Sequence, residues 1–318
     1  MRHDRPAVFA LRTPLPGIGA TRRGHVPTRA IALITCAVLC FTIGDAITKF
    51  TTQHYGVPML VFARYIVQFV AMLAWLGPRM GRRLLVTKRP RVQVFRGMLL
   101  VCSSLLFVTA LRSLPLAEAT ALNYSTPIIV VILGRLVLAE AMTRARIAFV
   151  AAGAVGMLMI VQPGSAVFHG AALIGIAAAI FYAGYQVTTR MLAGEDPLVL
   201  LFYPALMGTL ILTALAPAFD WPAAMPWTHV LLVVCVGLFA TAGHFLFILA
   251  FRLAPASALT PFTYVQLVFA MLLGFLLYGN FPNGLRIAGM ALIAGSGLVT
   301  TLHERRRARS VGDPVTIQ

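Results

Sequence analysis

The sequence predicts an all-α membrane protein of ten transmembrane helices, arranged as two inverted-topology repeats of five helices each. Three observations predict this: a composition too apolar for a water-soluble fold, apolar runs separated by one-sidedly basic connections, and an internal repeat at a constant offset. Hydrophobic residues make up 59% of the 318-residue chain and charged residues 11%, against about 25% charged in a soluble domain. Such a chain suits a fold whose outer surface meets lipid. The formal net charge of +17 would fit a nucleic-acid partner. The basic residues, however, fall in tails and short connections, and positive-inside orientation accounts for them better. The expected partner surface is therefore the lipid bilayer, with no nucleic acid.

Residues 1–29 are rich in Arg and Pro and lack periodicity, which predicts a disordered basic cytoplasmic tail. Apolar runs follow at approximately 30–52, 58–77, 96–113, 115–138, 146–162, 170–190, 197–217, 228–250, 254–278 and 285–302. Each is about 17–25 residues, enough to cross a hydrocarbon core of ~30 Å at 1.5 Å per residue. Helices are required because irregular backbone facing lipid leaves its polar groups unsatisfied. Residues 303–318 read as a second cytoplasmic tail. Cys36, Cys40, Cys102 and Cys235 all lie inside apolar runs without metal-type spacing and read as small buried hydrophobes. Leu33-Ile34-Thr35-Cys36 faintly resembles a lipoprotein processing site, but the run continues past it as a full span, so the first helix reads as uncleaved.

The charges orient the spans. One side receives the tail arginines, the group from Arg79 to Arg96 between the second and third spans, Arg144, Arg146, Arg190, Arg252 and the terminal Arg305 to Arg309. The other side keeps only Arg112 and Arg286. That asymmetry puts both termini in the cytoplasm and requires an even number of spans. Trp221 and Trp227 flank a Pro-rich outer loop, where interfacial aromatic anchors sit.

At an offset of about 140 residues the second half repeats the first. Phe41, Gly44 and Thr48 match Phe181, Gly184 and Thr188, and Gly97 matches Gly237. Ala110, Arg112, Pro115, Thr120 and Tyr124 match Ala250, Arg252, Pro255, Thr260 and Tyr264, and Gly134 matches Gly274. The units are 30–162 and 170–302. Five spans is an odd number, so the second copy enters the membrane from the opposite side. Two inverted halves around a midplane cavity imply a secondary carrier of a small-molecule substrate working by alternating access. A membrane-embedded enzyme and a channel-like facilitator are the alternatives. The enzyme lacks a visible reactive constellation, with no HExxH and no nucleophile elbow. No phosphate-binding loop for ATP, no cofactor site and no metal site is read in the sequence.

These residues carry a family resemblance. The segment Ala110-Leu-Arg-Ser-Leu-Pro-Leu-Ala-Glu-Ala-Thr-Ala-Leu and its copy from Ala250 resemble the passage into helices four and nine of the drug/metabolite transporter superfamily. The branch is the one with two five-helix EamA-type domains. Leu138-Ala139-Glu140 resembles that family's acidic residue closing helix four, whereas Gly279-Asn280 stands in the second half. Asp45-Ala-Ile-Thr-Lys49, Phe62-Ala-Arg64-Tyr65 and Arg252-Leu-Ala-Pro-Ala-Ser257 resemble a bacterial subgroup that includes S-adenosylmethionine uptake carriers. The resemblance implies a multi-pass inner-membrane transporter of a polar or amphipathic metabolite: S-adenosylmethionine, amino-acid or vitamin-like.

Ionisable groups inside spans cost about 2.5–3.5 kcal/mol each near the bilayer centre, so each needs a reason. Asp45 and Lys49 stand at i, i+4 on the first helix, Arg64 lies one to two turns into the second, and Glu118 starts the fourth. They form either a charged vestibule for substrate or a structural network. Asp45 and Arg64 are expected to pair on the outer half of the cavity wall, with Lys49 competing for Asp45. His244 is the histidine well inside a span and reads as either a coupling-proton site or a packed ring. Arg135 reads as snorkelling. Tyr124, Tyr185, Gln186, Tyr203, Tyr264 and Gln266 supply neutral hydrogen-bonding groups that suit a zwitterionic or aromatic ligand, and equally a bonded bundle. Pro127, Pro204 and Pro261 mark kinks. Ala291 and Gly295 are small residues for close approach between repeats.

Overall fold

A computed structural model describes residues 27–137, 144–164, 170–192, 194–254 and 256–310. The resembling acid Glu140, Pro255 and residues 1–26 and 311–318 of the tails lie outside the described residues. The described secondary structure is helical throughout: α1 Thr28–Thr51, α2 Val57–Met80, α3 Pro90–Ser113, α4 Leu116–Asn123, α5 Thr126–Val137 and α6 Arg144–Val161. The second half follows as α7 Ala171–Arg190, α8 Pro197–Leu215, α9 Trp227–Leu253, α10 Ala256–Thr263, α11 Val265–Tyr278 and α12 Gly284–Ser310. Eight helical segments are long and apolar enough to cross a membrane, and Ile147–Val161 and Gly284–Val299 are shorter apolar helices. These last two cover the fifth and tenth predicted runs.

Helix starts and stops follow local chemistry. Prolines open the first turns of α2, α3 and α8, where a missing N–H costs nothing. Asp196 caps α8 by accepting from the Leu198 N–H at 2.8 Å. Gly279, at φ +66°, ends α11 in the left-handed conformation, donating to Phe275 O while Asn280 donates to Gly274 O.

Two predicted spans are interrupted. The run 115–138 is α4 and α5, separated at Tyr124 and Ser125. Pro127 accounts for that break, since it has no N–H to give to Asn123. The run 254–278 is likewise α10 and α11, separated at Tyr264, the repeat mate of Tyr124. Leu267 stands where Pro127 does, so proline alone does not account for the second break. A third difference concerns Arg96. The charge pattern puts it in a connection, but α3 begins at Pro90, so Arg96 is almost two turns into the helix and 2% exposed.

The halves interlock. α1 packs along α9 and α3 along α7; α2 lies against α9 and α8 against α3; α11 lies against α1 and α5 against α7. Exchanging the repeats converts the first member of each pairing into the second. The close approaches obey the same exchange: a Cβ on Gly97 of α3 would stand 2.5 Å from Met207 Cβ of α8, and one on Gly237 of α9 would stand 2.5 Å from Val67 Cβ of α2. Gly97 and Gly237 are 140 apart, as are Val67 and Met207. Between α6 and α12 the close approach is made by Gly156 and Gly289, each of whose Cβ would press on the other's carbonyl oxygen at 2.8 and 2.6 Å. The small residue picked from the pattern, Gly295, faces space: a side chain there would meet nothing within 4 Å.

Candidate functional site

The buried charges of the bundle fall into two groups. The first group is satisfied. Lys49, expected to compete for Asp45, donates instead from Nζ to Leu111 O at 2.9 Å and Leu114 O at 2.6 Å. It thereby caps the last carbonyls of α3, a stabilising place for a cation. Glu118 pairs with Arg286, joining α4 of one half to α12 of the other, and Arg286 Nε also donates to Ile160 O at 3.3 Å. Arg96 donates to Thr189 Oγ1, Gln93 Oε1, Tyr185 Oη and Leu200 O at 2.8–3.0 Å, with its guanidinium 4.7 Å from the Tyr185 ring centroid.

The second group has no protein partner among the described residues. Asp45 and Arg64 line one small cavity with Phe41, Gly44, Val236 and Ala240. Both residues are half-buried, and among the described residues neither makes a hydrogen bond or an ion pair. The expected direct pairing is thus corrected to two opposite charges facing one cavity more than 4.0 Å apart. Their orientation follows from the helices: Phe41 and Asp45 stand one turn apart on α1, and α9, packed along α1, supplies Val236 and Ala240. His244 packs edge-on against Phe41, ring centroids 5.1 Å apart. Among the described residues its ring nitrogens have no hydrogen-bond partner.

Of the aromatic groups, Phe41 lines this cavity and the tyrosines lie outside its lining. Arg64 is within electrostatic range of Tyr65, Tyr182 and His244, and Tyr124 within range of Asp45 and Tyr182. At the two helix breaks, Tyr124 donates to Thr263 O at 2.5 Å and to Gln266 Oε1 at 3.0 Å, with its ring 5.2 Å from that of Tyr264. Tyr182 stacks on Tyr185 at 5.6 Å and 15°, and Gln186 lies beside it.

The structure therefore brings Asp45, Arg64 and His244 together, and Tyr124, Tyr264 and Gln266 together. It draws Tyr185 into holding Arg96, and it places Tyr203 elsewhere, donating to Leu85 O at 2.8 Å in the α2–α3 connection. Phe41, Tyr65 and Tyr182 escaped the sequence reading. The spacing could have found two of them, because Phe41 is four residues before Asp45 and Tyr182 three before Tyr185, each pair on one helix face.

Cross-repeat contacts close both ends of the α1/α9 and α3/α7 pairs. At one end Tyr55 Oη and His229 Nδ1 are hydrogen-bonded at 2.7 Å, with the His54 ring 5.1 Å from that of His229. At the other, Glu195 Oε1 accepts from Thr87 Oγ1 at 2.9 Å and from the Lys88 N–H at 2.8 Å. Tyr55 and Glu195 are repeat mates.

A family model described as "EamA-like transporter family" matches residues 28–162 and 169–302. A riboflavin transporter from Vibrio cholerae is 27% identical over 289 residues, covering 90% of this chain and 97% of that protein. A riboflavin transporter from Rhizobium johnstonii is 29% identical, covering 89% and 95%. An S-adenosylmethionine uptake transporter from Rickettsia prowazekii is 25% identical, covering 85% and 91%. A solved crystal structure superposes with a TM-score of 0.60 at 23% identity, over 88% of this chain and 99% of the other, a likeness of fold.

Proposed function

The chain belongs to the EamA-like transporter family, a multi-pass membrane protein that transports small metabolites, and we propose that it does so by alternating access around the Asp45–Arg64–His244 cavity. The transporter family and its relatives speak for carriage rather than catalysis. In this reading the ten apolar segments all span, α4 with α5 and α10 with α11 each making one broken span. Residues 30–162 and 170–302 are the two inverted units, and both termini face the cytoplasm of a bacterial cell, with the basic tails on that side. The α1–α2 connection with Tyr55 is then external and the α7–α8 connection with Glu195 cytoplasmic.

One observation carries the mechanism: the main contacts between the halves, α1–α9 with α3–α7, α2–α9 with α3–α8 and α1–α11 with α5–α7, interchange when the halves are exchanged, down to the Gly97–Met207 and Gly237–Val67 contacts. A bundle whose two halves pack on each other by the same contacts has two related arrangements of similar energy, opening to opposite sides. The cavity in this arrangement is small, well below the roughly 300–1,000 Å³ of ordinary ligand sites. With both end contacts made, this arrangement is the closed intermediate between the two open ones.

The names of the relatives supply the first cargoes to try. Counterflow of labelled riboflavin and labelled S-adenosylmethionine into proteoliposomes containing the purified protein tests the reading. Acceleration of tracer entry by the same compound trapped inside supports alternating access. Entry that trans substrate does not accelerate sinks that mechanism and leaves a facilitator.

A further inference from the structure

We propose that the substrate enters this cavity as a zwitterion, with an anionic oxygen group held by Arg64 and a cationic nitrogen held by Asp45. The inference deepens the transport reading and rests on it for the identity of the site. The argument is one of contrast within the molecule. Lys49, Arg96, Glu118 and Arg286 are each supplied with protein partners at hydrogen-bonding distance. A buried charge without partners is costly, and the fold has met that cost at each of these four. Asp45 and Arg64 face one cavity with opposite charges and make no hydrogen bond or ion pair with each other or with another described residue. Structural pairing would have closed the gap between them.

The repeat adds a second observation. Asp45 corresponds to Tyr185 and Arg64 to Pro204, so neither charge is copied in the other half. These two are particular to one side of the cavity, as a ligand site requires. A neutral ligand would leave both without a directly bonded partner in the closed state, and a singly charged ligand would leave one. A ligand bearing both charges, spaced as in an α-amino-acid head group, compensates both. Arginine's planar fork matches a carboxylate in two parallel bonds.

The test is equilibrium binding to the purified protein by calorimetry, with probes that differ in the head group. S-adenosylmethionine and the common α-amino acids carry it, 5′-methylthioadenosine keeps the nucleoside without it, and riboflavin is uncharged. Binding is expected from the zwitterionic probes, at least tenfold tighter than from their counterparts lacking the head group. Asp45→Asn and Arg64→Gln should each weaken it tenfold or more with the melting temperature retained. Should either variant fail to fold, Asp45→Glu and Arg64→Lys keep the charges and displace them, and a tenfold loss is expected there too. Riboflavin binding with equal Kd in the wild type and all variants would overturn the zwitterion while leaving the transport reading intact. Absence of binding by every zwitterionic probe overturns it as well, and absence of flux of every probe would fell both.

Discussion

Removing the Tyr55–His229 hydrogen bond should loosen one end of the protein and tighten the other. Tyr55→Phe deletes the hydroxyl that meets His229 Nδ1 at 2.7 Å and leaves the ring. One hydrogen bond of ordinary net strength contributes about 0.5–1.5 kcal/mol, which changes an opening equilibrium roughly 2- to 12-fold at 1.4 kcal/mol per decade. Glu195→Ala deletes two bonds, from Thr87 Oγ1 and Lys88 N, so its effect should sit at the upper end of that range. Hydrogen–deuterium exchange in lipid nanodiscs reads the result. Tyr55→Phe should raise exchange at residues 50–58 and 227–231 and slow it at 86–91 and 192–198, because the two open states compete. Glu195→Ala should do the reverse. Faster exchange at both ends in either variant would mean plain destabilisation and would refute the coupling. Unchanged exchange would refute the role of these contacts.

Other expectations concern packing and charge. Gly237→Ala and Gly97→Ala each press a methyl to 2.5 Å from a neighbouring Cβ. Each should lower stability by about 1–3 kcal/mol as overpacking does, whereas Gly295→Ala, with open space around it, should be neutral or stabilise by up to about 1 kcal/mol; thermal unfolding in detergent ranks the three. Glu118→Gln removes the carboxylate charge facing Arg286 and should cost about 3–5 kcal/mol in the same assay, and a wild-type melting temperature would remove the pair from the cross-repeat ties. A proton carried on His244 makes flux pH-dependent through that residue, so His244→Gln should flatten the pH profile while leaving substrate binding at high pH; an unchanged profile assigns the ring to packing against Phe41. Reporter fusions after Gly164 and Trp221 should report the external side, and one after Lys88 the cytoplasmic side; a cytoplasmic signal at Gly164 would break the inverted arrangement.

Much of the helical layout was legible because composition, loop charge and a constant offset all act through sequence position. Tyr124 and Tyr264 could be matched by number before their rings were known to meet. The departures have physical reasons. Arg96 looked like a loop charge because a basic residue beside a span end usually is one. Its acceptors come from its own helix turn and from residues 89 to 104 positions further on, which no local pattern announces. Lys49 looked like a partner for Asp45 because i, i+4 spacing allows it, and the carbonyl end of α3 drew it away. The break at Tyr264 has no proline at the place matching Pro127, although Pro261 stands three residues before it. Gly295 and Gly289 are alike in sequence terms, and only the crossing with Gly156 tells them apart. At the site, Asp45, Arg64 and His244 stood out because charge inside a span is expensive, while Phe41 and Tyr182 look like ordinary bundle aromatics.

The central claim is that one cavity is reached from each side of the membrane in turn. Gly44 lines it, and a Cβ added there meets nothing closer than 3.7 Å. Gly44→Cys can therefore be made in a protein whose Cys36, Cys40, Cys102 and Cys235 are replaced by serine. Labelling this thiol with a membrane-impermeant maleimide, applied from outside or inside to vesicles of uniform orientation, measures access directly. Alternating access predicts labelling from both sides, with Tyr55→Phe raising the external rate and lowering the internal one. Labelling from a single side in every variant would contradict it.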